Sequence, residues 1–352
     1  GNPFLGWMTG WIYLACLITT VAAVAMALQV SLKTISDSFQ IIGTSGDPKS
    51  VAVNAILLGT ILIVASTLVN VRGIKLLALI NNIGVFAELI GIILLIVLLF
   101  LSRVRTPAEA VVHIKNAGSG LTSFPDLKIL LAATALTASY VLYGFDTAGT
   151  LAEETHDPRK KAPRAILQAL LAAGFAGLLV LLFALMAAPD LGLPDLGNIR
   201  GGLPMLVKSV LGETTGRLFL CDVILAISVC TFAVHSGTVR LMFAMGRDGC
   251  LPFSKSLSAV SSKTQPPVLA PLLCGMGDII ILAVNLQFPK VFELVTSIAI
   301  LWANLAYWIV VALQLKNRIV SARSGADTRA RFSMGKWGLP VSPQVERAEG
   351  LD

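Results

Sequence analysis

Charge is scarce in this chain. Only 13% of its 352 residues are Asp, Glu, Lys or Arg, about half of the ~25% usual in a soluble domain. Hydrophobic residues reach 55%, more than a water-soluble core can absorb. Alternating apolar and polar positions over about ten residues are missing, which argues against an outer-membrane barrel. The five cysteines lie in or beside apolar runs, or in one loop for Cys250, and give no disulfide framework and no metal spacing. His113, His156 and His235 are scattered, with no nucleophile beside a base, so an intramembrane enzyme has little to build on. The chain begins at Gly1 without an initiator Met or a basic stretch before its first apolar run. No signal peptide can be read, and a piece of a longer protein is the expectation.

What the chain has in abundance is long apolar runs. A hydrocarbon layer ~30 Å thick requires about 20 consecutive apolar residues in a helix. Eight runs approach that length: Trp7–Val30, Val51–Val69, Asn81–Leu101, Ile129–Thr150, Ala165–Ala187, Leu218–Met245, Val268–Leu286 and Val291–Leu315. The fold class is therefore an all-α integral membrane protein with eight predicted transmembrane helices. Residues 1–315 form the transmembrane domain and residues 316–352 an exposed basic tail.

The net charge of +7 does not point to nucleic acid, because the basic residues sit in loops between apolar runs. Alternate loops, with the tail, hold 17 of the 27 Lys and Arg residues: around Arg72, Arg159 to Arg164, and Arg240 to Lys263. Positive residues concentrate on the cytoplasmic side, so both ends of the chain should be cytoplasmic. A plain Leu, Ala, Val and Ile composition suits a bacterial inner membrane.

Smaller features place easily. Gly6-Trp7 and Gly10-Trp11 read as an interface anchor with close helix packing. Gly46-Asp47-Pro48-Lys49-Ser50 lacks the glycine spacing and preceding strand of a phosphate loop. Asn70 to Lys75 forms a tight turn into a short amphipathic piece, Leu76–Ile80, and Gly202–Leu211 reads as a second amphipathic surface segment.

Five ionisable side chains inside the apolar runs are candidates for a role: Glu88, Asp146, Asp222, His235 and Asp278. Such groups cost about 2.5–3.5 kcal/mol to insert and need a reason to be there. Asp222 lies near an end, within reach of water or Arg217. Asp278, between Gly275 and Gly277, either lines a cavity or caps a polar contact. His235 is read as bonded to a neighbour. Asn81, Asn82 and Glu88 make one polar stripe entering the membrane, and a carboxylate there suits proton or sodium coupling.

The fourth run is the most specific. Gly144, Asp146, Thr147 and Gly149 stand where an uninterrupted helix would carry Leu or Ala, so the helix is expected to break there. A break frees backbone polar groups at mid-membrane, which is tolerable where they line a cavity or bind something. Acids, bases and prolines then crowd into residues 151–164.

Tyr140 to Pro163, with a glycine break, two acids, Asp-Pro and a later Pro, resembles the sixth-helix signature of amino acid/polyamine/organocation permeases. Arg240 to Pro252 resembles the inward end of that family's eighth helix, and Asn70 to Glu88 its fourth-to-fifth connection. The resemblance covers about residues 1–340. It implies the leucine-transporter fold of two inverted repeats, with cargo held between broken helices one and six, and it makes the eight runs helices three to ten. The family's first helix, which holds the substrate carboxylate, would precede Gly1.

By the same resemblance, Tyr140 closes over cargo. Val141, Leu142 and Tyr143 offer backbone carbonyls to its ammonium group, and Gly144 permits close approach. Cys230, Thr231 and Val234 lie on the eighth-helix face, and Thr296 and Ser297 are tenth-helix polar contacts. Glu88 stands where some relatives carry a Lys in place of sodium, which leaves proton and sodium both open as coupling ion. Glu153, Glu154, Arg159 and Arg240 form a cytoplasmic gate. The implied function is secondary active transport of an amino acid by alternating access, with no cofactor. The alternatives are a carrier of choline, polyamine or another organic cation, and a non-transporting fragment or assembly partner.

Overall fold

The computed structural model describes residues 3–44, 46–112, 135, 138–150, 152, 155–190, 202–259, 267–284 and 291–324. Among these, helices account for all the regular structure. They are α1 (Pro3–Ile35), α2 (Pro48–Arg72), α3 (Ile74–Leu101), α4 (Thr147–Thr150), α5 (Pro158–Ala187), α6 (Gly202–Leu211), α7 (Glu213–Arg247), α8 (Leu269–Val284) and α9 (Val291–Ser324), with short turns of helix at Pro107–Val112 and Ser254–Leu257.

Among the described residues, six helices are long and apolar enough to cross a membrane: α1, α2, α3, α5, α7 and α9. The other two expected spans differ. α8 has 16 residues, and the fourth run is interrupted, with residues 129–134 outside those described. Leu76–Ile80 is no separate piece, because α3 runs without a break from Ile74. The turn before it rests on Gly73, whose φ of 118° ends α2 in a conformation that favours glycine. Gly202–Leu211 is a helix in its own right, with Leu206 and Val207 buried.

α1 is the centre of the bundle and packs against α2, α7, α8 and α9. Its middle is small: Thr19, Thr20, Ala22, Ala23 and Ala25 are buried. In hydrocarbon, helices gain from close van der Waals contact rather than from expelling water, and small side chains permit that approach. α3 and α5 are peripheral. Ile83, Phe86, Ile90 and Ile93 of α3, and Leu171, Phe175, Leu178 and Leu181 of α5, are exposed, an apolar face that a lipid phase would cover.

Contacts between loops fix which helix ends share a side. Trp7 Nε1 donates to the carbonyl of Cys250 (3.3 Å), joining the start of α1 to the end of α7. At the opposite end, Lys208 Nζ donates to the carbonyl of Thr34 (3.1 Å), and Arg105 bonds to the carbonyls of Ala188 and Pro189. On that same side Asp47 caps α2, accepting from the amides of Lys49 and Ser50, with Pro48 in the first turn. Residues 46–50 are thus a helix start. The Ser50 hydroxyl first, then the Ser50 and Lys49 amides, hold the Asp47 carboxyl below the usual carboxylate range.

Candidate functional site

The fourth run breaks where the sequence places the break. Residues 138–142 are helical, residues 143–146 form a turn, and α4 follows. Gly144 has φ of 89°, a value that an L side chain adopts only at a cost of about 1–2 kcal/mol. Room is not the reason for glycine, since a Cβ there would have only Thr147 Oγ1 as close as 4.0 Å. The helical ladder gives way to tighter bonds, from Tyr143 N to Tyr140 O (3.2 Å), Thr147 N to Gly144 O (3.1 Å) and Gly149 N to Asp146 O (2.7 Å).

Each arm of the break leans on glycine. Before it, the Val141 and Leu142 side chains lie 3.1 and 3.2 Å from where Cβ atoms would stand on Gly177 and Gly174 of α5. After it, Gly237 of α7 faces Thr150 Oγ1 at 3.7 Å and Thr147 Cγ2 at 4.0 Å, measured the same way. An added Cβ would crowd the first arm at Gly174 and Gly177, whereas at Gly237 it would make ordinary contact with the second.

Asp146 lies in the turn itself. Tyr13 of α1 donates its hydroxyl to Oδ2, and Tyr307 of α9 donates to Oδ1 (2.6 Å). Both carboxylate oxygens are thus served by neutral donors from two other helices. The rings close around them, with Tyr13 and Tyr307 centroids 6.1 Å apart and Phe145 and Tyr307 5.1 Å apart. One residue before the glycine, the Tyr143 hydroxyl meets Thr20 Oγ1 (3.1 Å) and Cys16 Sγ (3.2 Å) of α1. The turn is therefore tied to α1 by three bonds and to α9 by one, through side chains that can exchange partners without unfolding a helix. Tyr13 and Tyr307 did not stand out in the sequence. An aromatic in an apolar run reads as packing until its hydroxyl partner is known.

Glu88 is half-buried on the face of α3 that packs on α7. That crossing depends on two notches seven residues apart. A Cβ on Gly84 would fall 2.2 Å from Val229 Cγ2, and one on Gly91 would fall 1.8 Å from Asp222 Oδ2. Asp222 therefore lies in the Gly91 notch, within electrostatic reach of Glu88. Arg217 is engaged elsewhere, donating to Glu213 (2.7 Å), so the expected reach from Asp222 to Arg217 is replaced by contact with α3. Asn81 shares the face of Glu88, whereas Asn82 is exposed, so the polar stripe is narrower than the sequence implied.

The remaining expected site residues divide into three groups. Tyr140 and Glu88 each lie within electrostatic reach of Cys230, so these three come together. Thr231 is fully buried, with its hydroxyl donating to Ile227 O (2.8 Å), and Val234 packs against the core around Val21 and Ile63. Thr296 and Ser297 are half-buried near the start of α9. Of the expected gate, Arg159 is exposed and Arg240 donates to Ser236 Oγ, while Glu153 and Glu154 lie outside the described residues.

His235 and Asp278, considered separately in the sequence, bond to each other. Nδ1 and Oδ2 are 2.8 Å apart, and both residues are fully buried.

The chain is similar in sequence to known transport proteins. The chain is 26% identical over 366 residues to the amino-acid permease BAT1 of Arabidopsis thaliana, covering 96% of this chain and 66% of that protein. It is 31% identical over 180 residues to the low-affinity putrescine importer PlaP of Escherichia coli strain K12, covering 50% of this chain and 36% of that protein. A third relative is the thiamine transporter thi9 of Schizosaccharomyces pombe, 27% identical over 203 residues, covering 56% and 32%. The chain spans less than two thirds of the length of each. A model of the family described as amino acid permease matches residues 2–342, nearly the whole chain, which therefore belongs to the amino acid permease family.

Proposed function

We propose that the protein is a secondary active transporter that moves an amino acid or related amine by alternating access, driven by a proton or sodium gradient. The observation that carries this reading is the break at residues 143–146, with Asp146 bridged to Tyr13 and Tyr307 on two other helices. A turn at mid-membrane leaves its backbone open to cargo, and two phenol bridges to one carboxylate form a contact that two states can make and release.

In this reading Tyr140 shuts over the cargo, the carbonyls of Val141, Leu142 and Tyr143 receive its ammonium group, and Gly144 lets it approach. Cys230, Thr231, Val234, Thr296 and Ser297 complete the lining. Glu88 is the coupling-ion site, supported by its position facing α7 beside Asp222. Glu153, Glu154, Arg159 and Arg240 latch the cytoplasmic side. Residues 1–315 are the transmembrane domain and residues 316–352 a cytoplasmic tail. The protein lies in the plasma membrane, by composition a bacterial inner membrane, with both ends of this chain cytoplasmic. No covalent chemistry, nucleic acid or cofactor takes part.

A second reading changes only the cargo, to a polyamine or another organic cation. It is favoured by a break segment, residues 138–150, that carries Asp146 and no basic residue, and by the similarity to a putrescine importer. Tyr140 and Tyr143 would serve such a cargo through cation–π contact.

The experiment is uptake of labelled amino acids and of putrescine by liposomes holding the intact protein, with an imposed pH or sodium gradient. Saturable amino-acid uptake that collapses with the gradient is expected, and Glu88→Gln should remove the dependence on the gradient. Saturable putrescine uptake alone would select the second reading. No saturable uptake of either, from correctly inserted protein, would sink both.

A further inference from the structure

His235 of α7 and Asp278 of α8 take no part in that mechanism, yet both are charge-bearing residues with no exposure at all. A hydrogen count defines their state. His235 Nε2 faces Thr67 Oγ1 of α2 at 3.4 Å. The Thr67 hydroxyl directs its own hydrogen to the carbonyl of Ile63 (2.9 Å), so toward the ring it can only accept. Nε2 therefore carries a hydrogen, and one further hydrogen lies between Nδ1 and Oδ2. Whichever atom holds it, the pair is neutral overall. Without it, a nitrogen lone pair would face a carboxylate in an apolar interior, which is strongly unfavourable. Among the described residues the second oxygen, Asp278 Oδ1, has no partner, so His235 is the anchor of this carboxylate.

The surroundings leave the pair to itself. α2 contributes the Thr67 hydroxyl. α8 adds the Cys274 thiol one turn before Asp278, buried and 3.7 Å from Met242 Sδ. α1 presents Ile18, against Gly277, while its titratable Tyr13 and Cys16 bond to Asp146 and Tyr143. On α7 the next charged group is Arg240, which donates to Ser236.

α7 connects this pair to the break. His235 binds α8 on one side, and two residues later Gly237 lies beside Thr147 and Thr150 of α4, against which α7 packs. We propose that the hydrogen shared by His235 and Asp278 pins α7 to α8 and thereby positions α7 against the arm that follows the break. It is a proton-bearing positioning site outside the cargo path. The consequence for uptake rests on the transport reading, whereas the bridge itself does not.

The test uses the intact protein with His235→Ala, Asp278→Ala, the two alanine changes combined, and a double variant with His235→Gln and Asp278→Asn. Each alanine change removes one partner and leaves the other buried polar group unsatisfied, and should lower the maximal uptake rate about tenfold with KM within about twofold. The double variant with Gln and Asn replaces the bridge by an amide pair whose hydrogens do not titrate. It should recover uptake to within about threefold. A shift in KM at unchanged rate would overturn the proposal, as would a Gln and Asn double variant no more active than the alanine variants. If no preparation transports any cargo, thermal unfolding in micelles decides. A double-mutant coupling of about tenfold in the folding equilibrium supports the bridge, and additive effects overturn it.

Discussion

Asp146 and Asp278 are both carboxylates in membrane helices, and they are held in opposite ways. Asp146 is half-buried in a turn, with each oxygen bonded to a tyrosine from a different helix. Asp278 is fully buried in an unbroken helix, with one oxygen on His235 and the other unpartnered among the described residues. The first arrangement spreads its bonds over three segments, one of which is irregular backbone. The second joins two regular helices by a contact without solvent exposure. A carboxylate whose partners sit on separate elements can report their movement, whereas one shared between packed helices holds them together. The proposed moving parts belong to the region of the break, and the scaffold to α2, α7 and α8.

The largest break in this comparison comes from removing both donors of Asp146. Tyr13→Phe with Tyr307→Phe leaves a carboxylate in an apolar site without hydrogen bonds. Bonds to charged groups are worth about 1.5–3 kcal/mol each, so the pair should lower uptake about 100-fold and each single change about tenfold, measured as initial rates in liposomes. Gly144→Ala comes next. Its positive φ makes any side chain cost about 1–2 kcal/mol, so a loss of about tenfold in rate or a lowered unfolding temperature is expected, with no such effect from Gly149→Ala, where the nearest atom is Ile166 Cδ1 at 3.8 Å.

Gly91→Ala sharpens the comparison from the side of α3. The new methyl must displace the Asp222 carboxylate and with it the environment of Glu88, so gradient dependence should weaken by several-fold while insertion stays normal. The smallest effect belongs to Asp47, far from either carboxylate. Its carboxyl is held below its ordinary value of about 3.9, so the cap contributes above that pH and is lost as pH falls through the lowered value. Asp47→Asn should flatten the acid limb of the melting temperature in micelles and leave uptake at neutral pH unchanged.

The sequence made the bundle legible because long apolar runs have few other uses. The break was legible for the same reason: Gly144 and Asp146 contradict a continuous helix. Pairings across the bundle were not. His235 and Asp278 are 43 residues apart, and nothing local gives the register of α7 on α8. The choice of partner for Asp222 turned on a glycine notch in α3 and on Glu213 holding Arg217 at helical spacing, both invisible when residues are considered one at a time. Leu76–Ile80 looked separate because Gly73 ends α2, yet one glycine was enough for the turn and α3 began at once. Tyr13 and Tyr307 were missed because a phenol in an apolar run shows its role only through the group it reaches.

The most direct test of the central claim is the concentration dependence of labelled amino-acid uptake by liposomes containing the intact protein, for the wild type and Asp146→Asn. The account predicts saturable uptake for the wild type and a loss of at least about tenfold for the variant at equal insertion. Undiminished saturable uptake by Asp146→Asn would show that the bridged carboxylate at the break is not part of the transport cycle.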